Sequence, residues 1–455
     1  MRHTLRLSRA LFAKLSAIAA LTIAVTALTA TEAAAVPAFA VQTGEPCQAC
    51  HVGGFGPQLT PFGREFKLQG YTLRKNSFNI PISAMVVASY LQTSKPQNPP
   101  PPGYSSNDNW ALDQVSFFFA GGFGDHLGAF VQGTYDGVAK NWHWDNLDVR
   151  ATTTAKVAGA DVTLGASVNN APTVQDAWNT LPAWGYPYTS STLAPGPSTS
   201  PLLNGALAQT SLGVTGYAWI NSEFYLEGGA YFSPGSGTLS SLGVDPTNPG
   251  SINGAAPYGR IAFQHDVGPG TLELGAFGME TEIFPGLDHT TGFTDRYTDV
   301  GLDGSYIDTL SDTDVITVNA RYLREQERFN ATCALAGVTS GCADNSLTDV
   351  RVDGSYYWRN KVGVTLAVFN TTGSANPTLY AGNRTLKPDS TGLTVQVDGT
   401  PFGASDSPLG RRFNLRVGAQ YTAYTQIDGA GSNFDGAGSN AADNNAFRLF
   451  AWVAY

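Results

Sequence analysis

The chain has 455 residues and a formal net charge of −10; only 14% of its residues are charged, 11% are aromatic, and 51 are glycine. The acidic balance argues against a nucleic-acid partner, which calls for a basic surface, and favours a surface that gathers cations. Sparse charge with abundant glycine and aromatics suits many short strands joined by turns.

The chain opens with Arg2, Arg6, Arg9 and Lys14, then an apolar run over residues 15–28 and small residues through Ala33, Ala34 and Ala35. Charge, apolar stretch and small-residue cleavage site in that order read as a secretory leader over residues 1–35; cutting after Ala40 fits equally well. No later segment approaches the roughly 18 apolar residues that a membrane-spanning helix needs. If the exported protein enters a membrane, it does so as a barrel.

Next comes Cys47-Gln48-Ala49-Cys50-His51. Two thiols two residues apart, followed at once by an imidazole, are what covalent haem attachment requires: each cysteine adds to one vinyl group and the histidine becomes the proximal ligand of the iron. The surrounding segment, residues 36–78, is too small to shelter such a group, because domains near 40 residues rarely fold unaided. It is expected to plug the lumen of a barrel formed by residues 79–455, so that wall side chains complete the pocket. Thr60 and Pro61 read as a helix cap and first position, Gly63 as a point of close backbone approach, and Gly70 as the stop. Phe55, Pro57, Leu59, Phe62 and Phe66 are candidates to cover the haem, while Arg64 and Lys67 would either pair with its propionates or be solvated. Met85 is the favoured distal ligand by its inward parity; Met279, His126, His143, His265, His289 or an open position are the alternatives.

From residue 79 to 455 the chain alternates. Ile82, Ala84, Val86, Ala88 and Tyr90 oppose Ser83, Met85, Val87 and Ser89; Phe224 and Leu226 oppose Glu223, Tyr225 and Glu227; Leu415 and Val417 oppose Asn414 and Arg416. One apolar and one charged face is the period of a barrel with lipid outside and a wet or filled lumen. A soluble sandwich would turn its apolar set inward.

About 16 such segments are expected, joined alternately by long connections (residues 93–108, 170–204, 234–256, 285–294, 329–345, 371–388 and 429–443) and short turns (124–125, 158–159, 221, 268–269, 311–312 and 360–361). Only residues 136–141 are short where a long connection is due. Even strand number and this asymmetry put both termini in the periplasm. Trp142, Trp144, Trp219 and Trp358 near strand ends suit aromatic girdles. Cys333 and Cys342, in a polar stretch of an exported chain, read as a loop-closing disulfide. The last residues alternate up to Tyr455, as expected of a final strand that must pair with the first, since an open edge in lipid leaves amides unbonded. Inward acids Glu223, Glu227, Asp349 and Asp353 would either attract cations or pair with Arg321, Arg351 and Arg416.

The run Pro37-Ala38-Phe39-Ala40, Gln42-Thr43-Gly44, Cys47, Cys50-His51, Pro57, Leu59, Gly63-Arg64, Phe66-Lys67 and Gly70-Tyr71 resembles the haem segment of the fused monohaem cytochrome c–porin family, the outer-membrane iron oxidases of Fe(II)-oxidising bacteria. Val41 departs from it, where the family usually has arginine. The resemblance covers about 35 residues, and over the rest of the chain it is architectural. It implies one covalent haem c in an outer-membrane barrel, extracellular Fe(II) as electron donor and a periplasmic c-type cytochrome as acceptor. An outer-membrane electron conduit with another donor or acceptor, or a porin or transporter with a structural haem, would use the same parts.

Overall fold

The computed structural model describes residues 37–75, 80–310, 313–338, 341–403, 407, 409 and 412–455. The expected leader and the turn at residues 311–312 lie outside them. Three short helices come first: α1 (Pro37–Thr43), α2 (Cys47–Cys50) and α3 (Pro61–Leu68). The strands are β1 (Ile82–Thr93), β2 (Asn109–Gly122), β3 (Leu127–Asp136), β4 (Asn141–Val157), β5 (Ala160–Asn169), β6 (Leu212–Ile220), β7 (Phe224–Phe232), β8 (Gly250–Ile252), β9 (Ala256–Val267), β10 (Gly270–Pro285), β11 (Asp295–Thr309), β12 (Val315–Phe329), β13 (Asp344–Trp358), β14 (Val362–Gly373), β15 (Ser390–Gly399), β16 (Asn414–Gln426) and β17 (Ala446–Ala454).

Each strand pairs antiparallel with the next, except that β7 passes over the short β8 to pair with β9, and β1 pairs with both β2 and β17, so the sheet closes on itself. The short β8 and the longer β9 share one partner, β10, which makes 16 staves of 17 strands. Closure satisfies every stave's ladder on both sides, and lipid permits nothing else. The alternation read from the sequence has a clear direction. Val300 and Leu302 are 58% and 57% exposed on the outside, whereas Asp299 and Asp303, which flank them, are 1% and 6% exposed in the lumen. The apolar face is outward and the charged face inward, as a membrane barrel demands.

The short turns fall at one end and the long connections at the other. At residues 158–159 both Ala158 and Gly159 have positive φ, the primed turn that matches strand twist. The connection from β3 to β4 is short on the long side, as expected. One connection was not anticipated: residues 400–413, between β15 and β16, are long on the short-turn side. Its described residues 400–403 lie against the N-terminal segment, where Gln48 donates a backbone hydrogen bond of 3.3 Å to the Gly403 carbonyl. Cys333 and Cys342 are joined by a disulfide, with Cα atoms 5.9 Å apart.

Several expected placements need correction. Residues 170–204 are no solvated outer loop; they turn back into the lumen, burying Val174, Asp176, Trp178 and Leu181. Trp219 faces inward and packs edge-on to Trp178 at 5.6 Å. Trp144 is half-buried and donates to the Gln209 carbonyl at 2.9 Å, so of the four tryptophans only Trp142 and Trp358 stand outside. Glu223 lies in an exposed turn against His265, 2.7 Å away, not in the lumen.

Candidate functional site

Residues 37–75 enter the lumen from the short-turn end. Helix α3 begins at Thr60, whose hydroxyl accepts the Gly63 amide at 3.2 Å, with Pro61 at the first helical position. It stops in a Schellman arrangement: Tyr71 N–H reaches Phe66 O at 3.0 Å, Gly70 N–H reaches Lys67 O at 3.1 Å, and Gly70 takes the left-handed conformation that glycine allows. Gly63 is where α3 meets the cysteine turn. A Cβ there would lie 2.3 Å from the Cys50 carbonyl oxygen, so any side chain would push the two apart.

Cys47 and Cys50 occupy the single turn α2, and the His51 amide closes it on the Cys47 carbonyl at 3.0 Å. The chain then doubles back. Val52 N–H donates to Gln58 O at 3.0 Å, and Thr60 N–H to Cys50 O at 2.9 Å. The wall grips this hairpin largely by its backbone. Asn360 Oδ1 accepts the Gly53 amide at 2.6 Å, Asn414 donates to Gly54 O at 3.1 Å, and Arg416 donates to Phe55 O at 2.5 Å. Arg416 is itself fixed by Asp398 at 2.7 Å. On the far side Tyr217 donates to Leu68 O at 2.5 Å and Arg150 to Lys67 O at 3.2 Å.

Between the segment, the wall and residues 170–204 lies a cavity of about 290 Å³. That is the lower end of the range for small-molecule sites, about 300–1,000 Å³. Cys47, Cys50, His51, Pro57, Phe66 and Lys67 line it, with Phe39, Leu59 and Tyr71 beside them. The wall adds Met85, Phe118, Phe130 and Trp452, and the inward loop adds Asn179, Trp184 and Tyr188. The seam between first and last strands forms part of this wall: Trp452 Nε1 donates to Met85 Sδ at 3.2 Å. Of the candidate iron ligands among the described residues, only His51 and Met85 reach the cavity. Met279 is buried in a separate core with Leu181 and Tyr258, His126 Nδ1 donates to Thr152 O at 2.8 Å, and His289 packs on Phe284.

Three expected lining residues are elsewhere. Phe55 packs behind the cavity on Trp452 and Val87, Phe62 is 37% exposed, and Arg64 points to the opposite wall, donating to Ser305 Oγ at 3.1 Å. Neither Arg64 nor Lys67 is solvated; each is 4% exposed. Lys67 Nζ donates to Val174 O at 2.8 Å and Asn179 Oδ1 at 2.7 Å, and lies 4.8 Å from the Trp184 ring centre. Burial, reinforced by Arg150, holds its ammonium down to about 7. The inward loop, which no motif announces, is fixed by Asp176. That carboxylate accepts the Thr180 and Leu181 amides at 2.8 and 3.1 Å and lies 3.4 Å from Arg260, which also bonds Asp303 and Glu273. Its one sequence signal is composition: residues 171–197 carry a single charge, Asp176, amid aromatics and prolines.

The cavity's donors suit a metalloporphyrin. Burial pushes the His51 imidazole down to about 4, against the opposing pull of the Gln58 and Gly56 backbones, so the ring is neutral and able to ligate. Its Nδ1 is buried without a hydrogen bond of full geometry. Burial first, then Cys47 and Glu45, pushes the Cys50 thiol up to about 12, far from the thiolate a redox Cys-x-x-Cys pair uses. The rest of the lining is mostly apolar and aromatic, with amides at Gln114, Gln132, Asn146 and Asn179 on one side.

No protein-family model and no curated protein matches the chain. Solved structures similar to it include a loop-deleted OmpT, an outer membrane protein of Vibrio cholerae (12% identity over 82% of this chain and 98% of that one, TM-score 0.42). Others are an anion-selective porin from Comamonas acidovorans (11%, 82% and 98%, TM-score 0.44) and the outer membrane channel DcaP of Acinetobacter baumannii (12%, 82% and 96%, TM-score 0.46). At such distances the likeness adds nothing to the barrel that the strand ladder itself defines.

Proposed function

We propose that this protein is an outer-membrane c-type cytochrome built into a barrel, an iron oxidase that takes electrons from extracellular Fe(II) and delivers them to a periplasmic c-type cytochrome. The observation that carries this reading is the meeting of Cys47, Cys50, His51 and Met85 on one cavity inside the barrel. A bound haem c supplies reversible one-electron chemistry at its iron.

The protein's own residues hold, orient and shelter. Cys47 and Cys50 present two thiols from one turn for covalent attachment, and Gly63 lets α3 close against that turn. His51 offers a neutral imidazole, and Met85 a soft thioether whose position Trp452 fixes. Trp184 and Tyr188 of the inward loop line the cavity opposite the segment and would limit the access of water. Short turns on the periplasmic side and long connections outside are the usual orientation of such barrels. In that orientation α1–α3 would be within reach of a periplasmic acceptor.

The test is anaerobic mixing of haem-loaded protein with Fe(II) while the reduced α-band is followed. Reduction over the working pH range is expected. Its absence would remove ferrous iron as the donor. The barrel form also accommodates a porin with a structural haem; that reading requires porin-sized currents in a planar bilayer, and with residues 37–75 and 170–204 both seated in the lumen we expect none.

A further inference from the structure

A second cavity, of about 280 Å³, lies between the inward loop and the wall. It sits at the long-connection end of the lumen: Ala446, on its wall, opens β17 and pairs with Thr93 at the end of β1 and with Thr422 on β16. Along the inward face of β17 the order is Arg448, Phe450, Trp452. Arg448 lines this cavity and Trp452 the one beside His51, about 13 Å further along the strand at roughly 3.3 Å per residue. Pro187 stands on both walls, and Gly196, which lines only the outer cavity, is exposed.

The chain as a whole is acidic, yet the charged residues on this cavity are Arg351 and Arg448; among the described residues no aspartate or glutamate lines it. A buried cation requires a counter-charge. Other lumenal arginines have one: Arg150 with Asp148, Arg416 with Asp398, and Arg448 with Asp113 at 2.7 Å. At Asp349 the ratio reverses. Arg321 and Arg351 share that carboxylate, at 3.4 and 3.1 Å, so the three carry one surplus positive charge. Asp353, two residues along β13, bonds Asn319 at 2.9 Å. Arg351 turns Nε and Nη2 to Asp349, which leaves Nη1 over. Arg448, 3% exposed, commits its Nη atoms to Asp113, Thr189 and Gln420, while its Nε is buried without a bond. Ser190, Thr394 and Thr422 add hydroxyl-bearing side chains to the same lining.

We propose that this cavity binds a small oxyanion, a carboxylate or a phosphate, entering from the long-connection side, with Arg351 as its principal contact. Guanidinium groups present parallel N–H donors that match the paired oxygens of both anions. The anion supplies the charge that Asp349 alone cannot, and serine and threonine hydroxyls suit its remaining lone pairs. The assignment stands on the arginines of β13 and β17 and does not require the haem.

The experiment titrates full-length barrel, in detergent at low ionic strength, with citrate and separately with inorganic phosphate, read by calorimetry. One saturable site per barrel is expected for at least one of them, and the one that binds more tightly assigns the class. Arg351→Gln should weaken it at least tenfold. Cys50→Ala, which removes the haem, should leave it unchanged, so failure of the haem reading and failure of this site are distinguishable. Gly196→Asp sets a carboxylate on the wall at a position where a Cβ meets nothing within 4 Å. It too should weaken binding, and it keeps the test open if Arg351→Gln loses the heat-modifiable migration of a folded barrel. Binding of neither anion by the wild type would overturn the site, as would equal binding by the wild type and the folded variants. The arginines would then only brace the inward loop, as Arg448 does at the Thr189 carbonyl, 3.1 Å away.

Discussion

Residues 37–75 and residues 170–204 both enter the lumen, the first from the short-turn end and the second from the long-connection end, and they meet at one cavity. Wall side chains hold the first by its backbone: Asn360, Asn414, Arg416 and Tyr217 all bond amides or carbonyls of the segment. The second is held by charge, with Asp176 on Arg260 and Arg260 shared among Glu273 and Asp303. Backbone anchoring tolerates change in side chains that face the cavity. A buried ion network does not tolerate the loss of one member, since the remaining charges are left without compensation.

Variants on either side of the cavity should therefore behave differently. Cys50→Ala should abolish covalent haem while the barrel still forms, read as loss of the haem stain after denaturation with heat-modifiable migration kept. Arg260→Met should leave Asp176, Glu273 and Asp303 unmatched and cost about 3–5 kcal/mol, measured as a lowered denaturation midpoint. By releasing the inward loop it should also raise channel current above that of the wild type in a planar bilayer. Met85→Ala should retain the haem but lower its midpoint potential by roughly 0.1 V, a fraction of the about 0.8 V that axial ligands command; an unchanged potential would remove Met85 from the iron.

The smallest effect expected is a slope. Lys67, held down to about 7 against the ordinary 10.5, binds fewer protons in the folded barrel than in the unfolded chain between those values. Stability in the haem-free Cys50→Ala background should rise with pH from about 7 to about 10.5, and Lys67→Met should flatten that rise.

The difference between the two lumenal segments is also the difference between what the sequence discloses and what it conceals. Cys47, Cys50 and His51 stand together in the chain, and the helix beside them has its cap, its proline and its glycine in view, so that half of the cavity could be read directly. Strand parity turned Met85 inward correctly, because period two is local. The other half is non-local: Trp184 and Tyr188 reach the cavity only because residues 170–204 reverse into the barrel, and loop length alone says nothing of direction. The same holds for Arg64, whose helical phase relative to a distant wall sends it to Ser305 and away from the cavity. Trp219 was misplaced because an aromatic near a strand end satisfies a girdle and a lumenal core equally well until the strand's phase is known.

The bond between Trp452 and Met85 joins residues 367 positions apart. One comes from β1 and the other from β17, the two strands whose pairing closes the barrel. A product truncated before its final stave has no such wall, however intact its N-terminal motif. Shelter of the proposed haem would thus depend on closure of the barrel at the seam between β1 and β17.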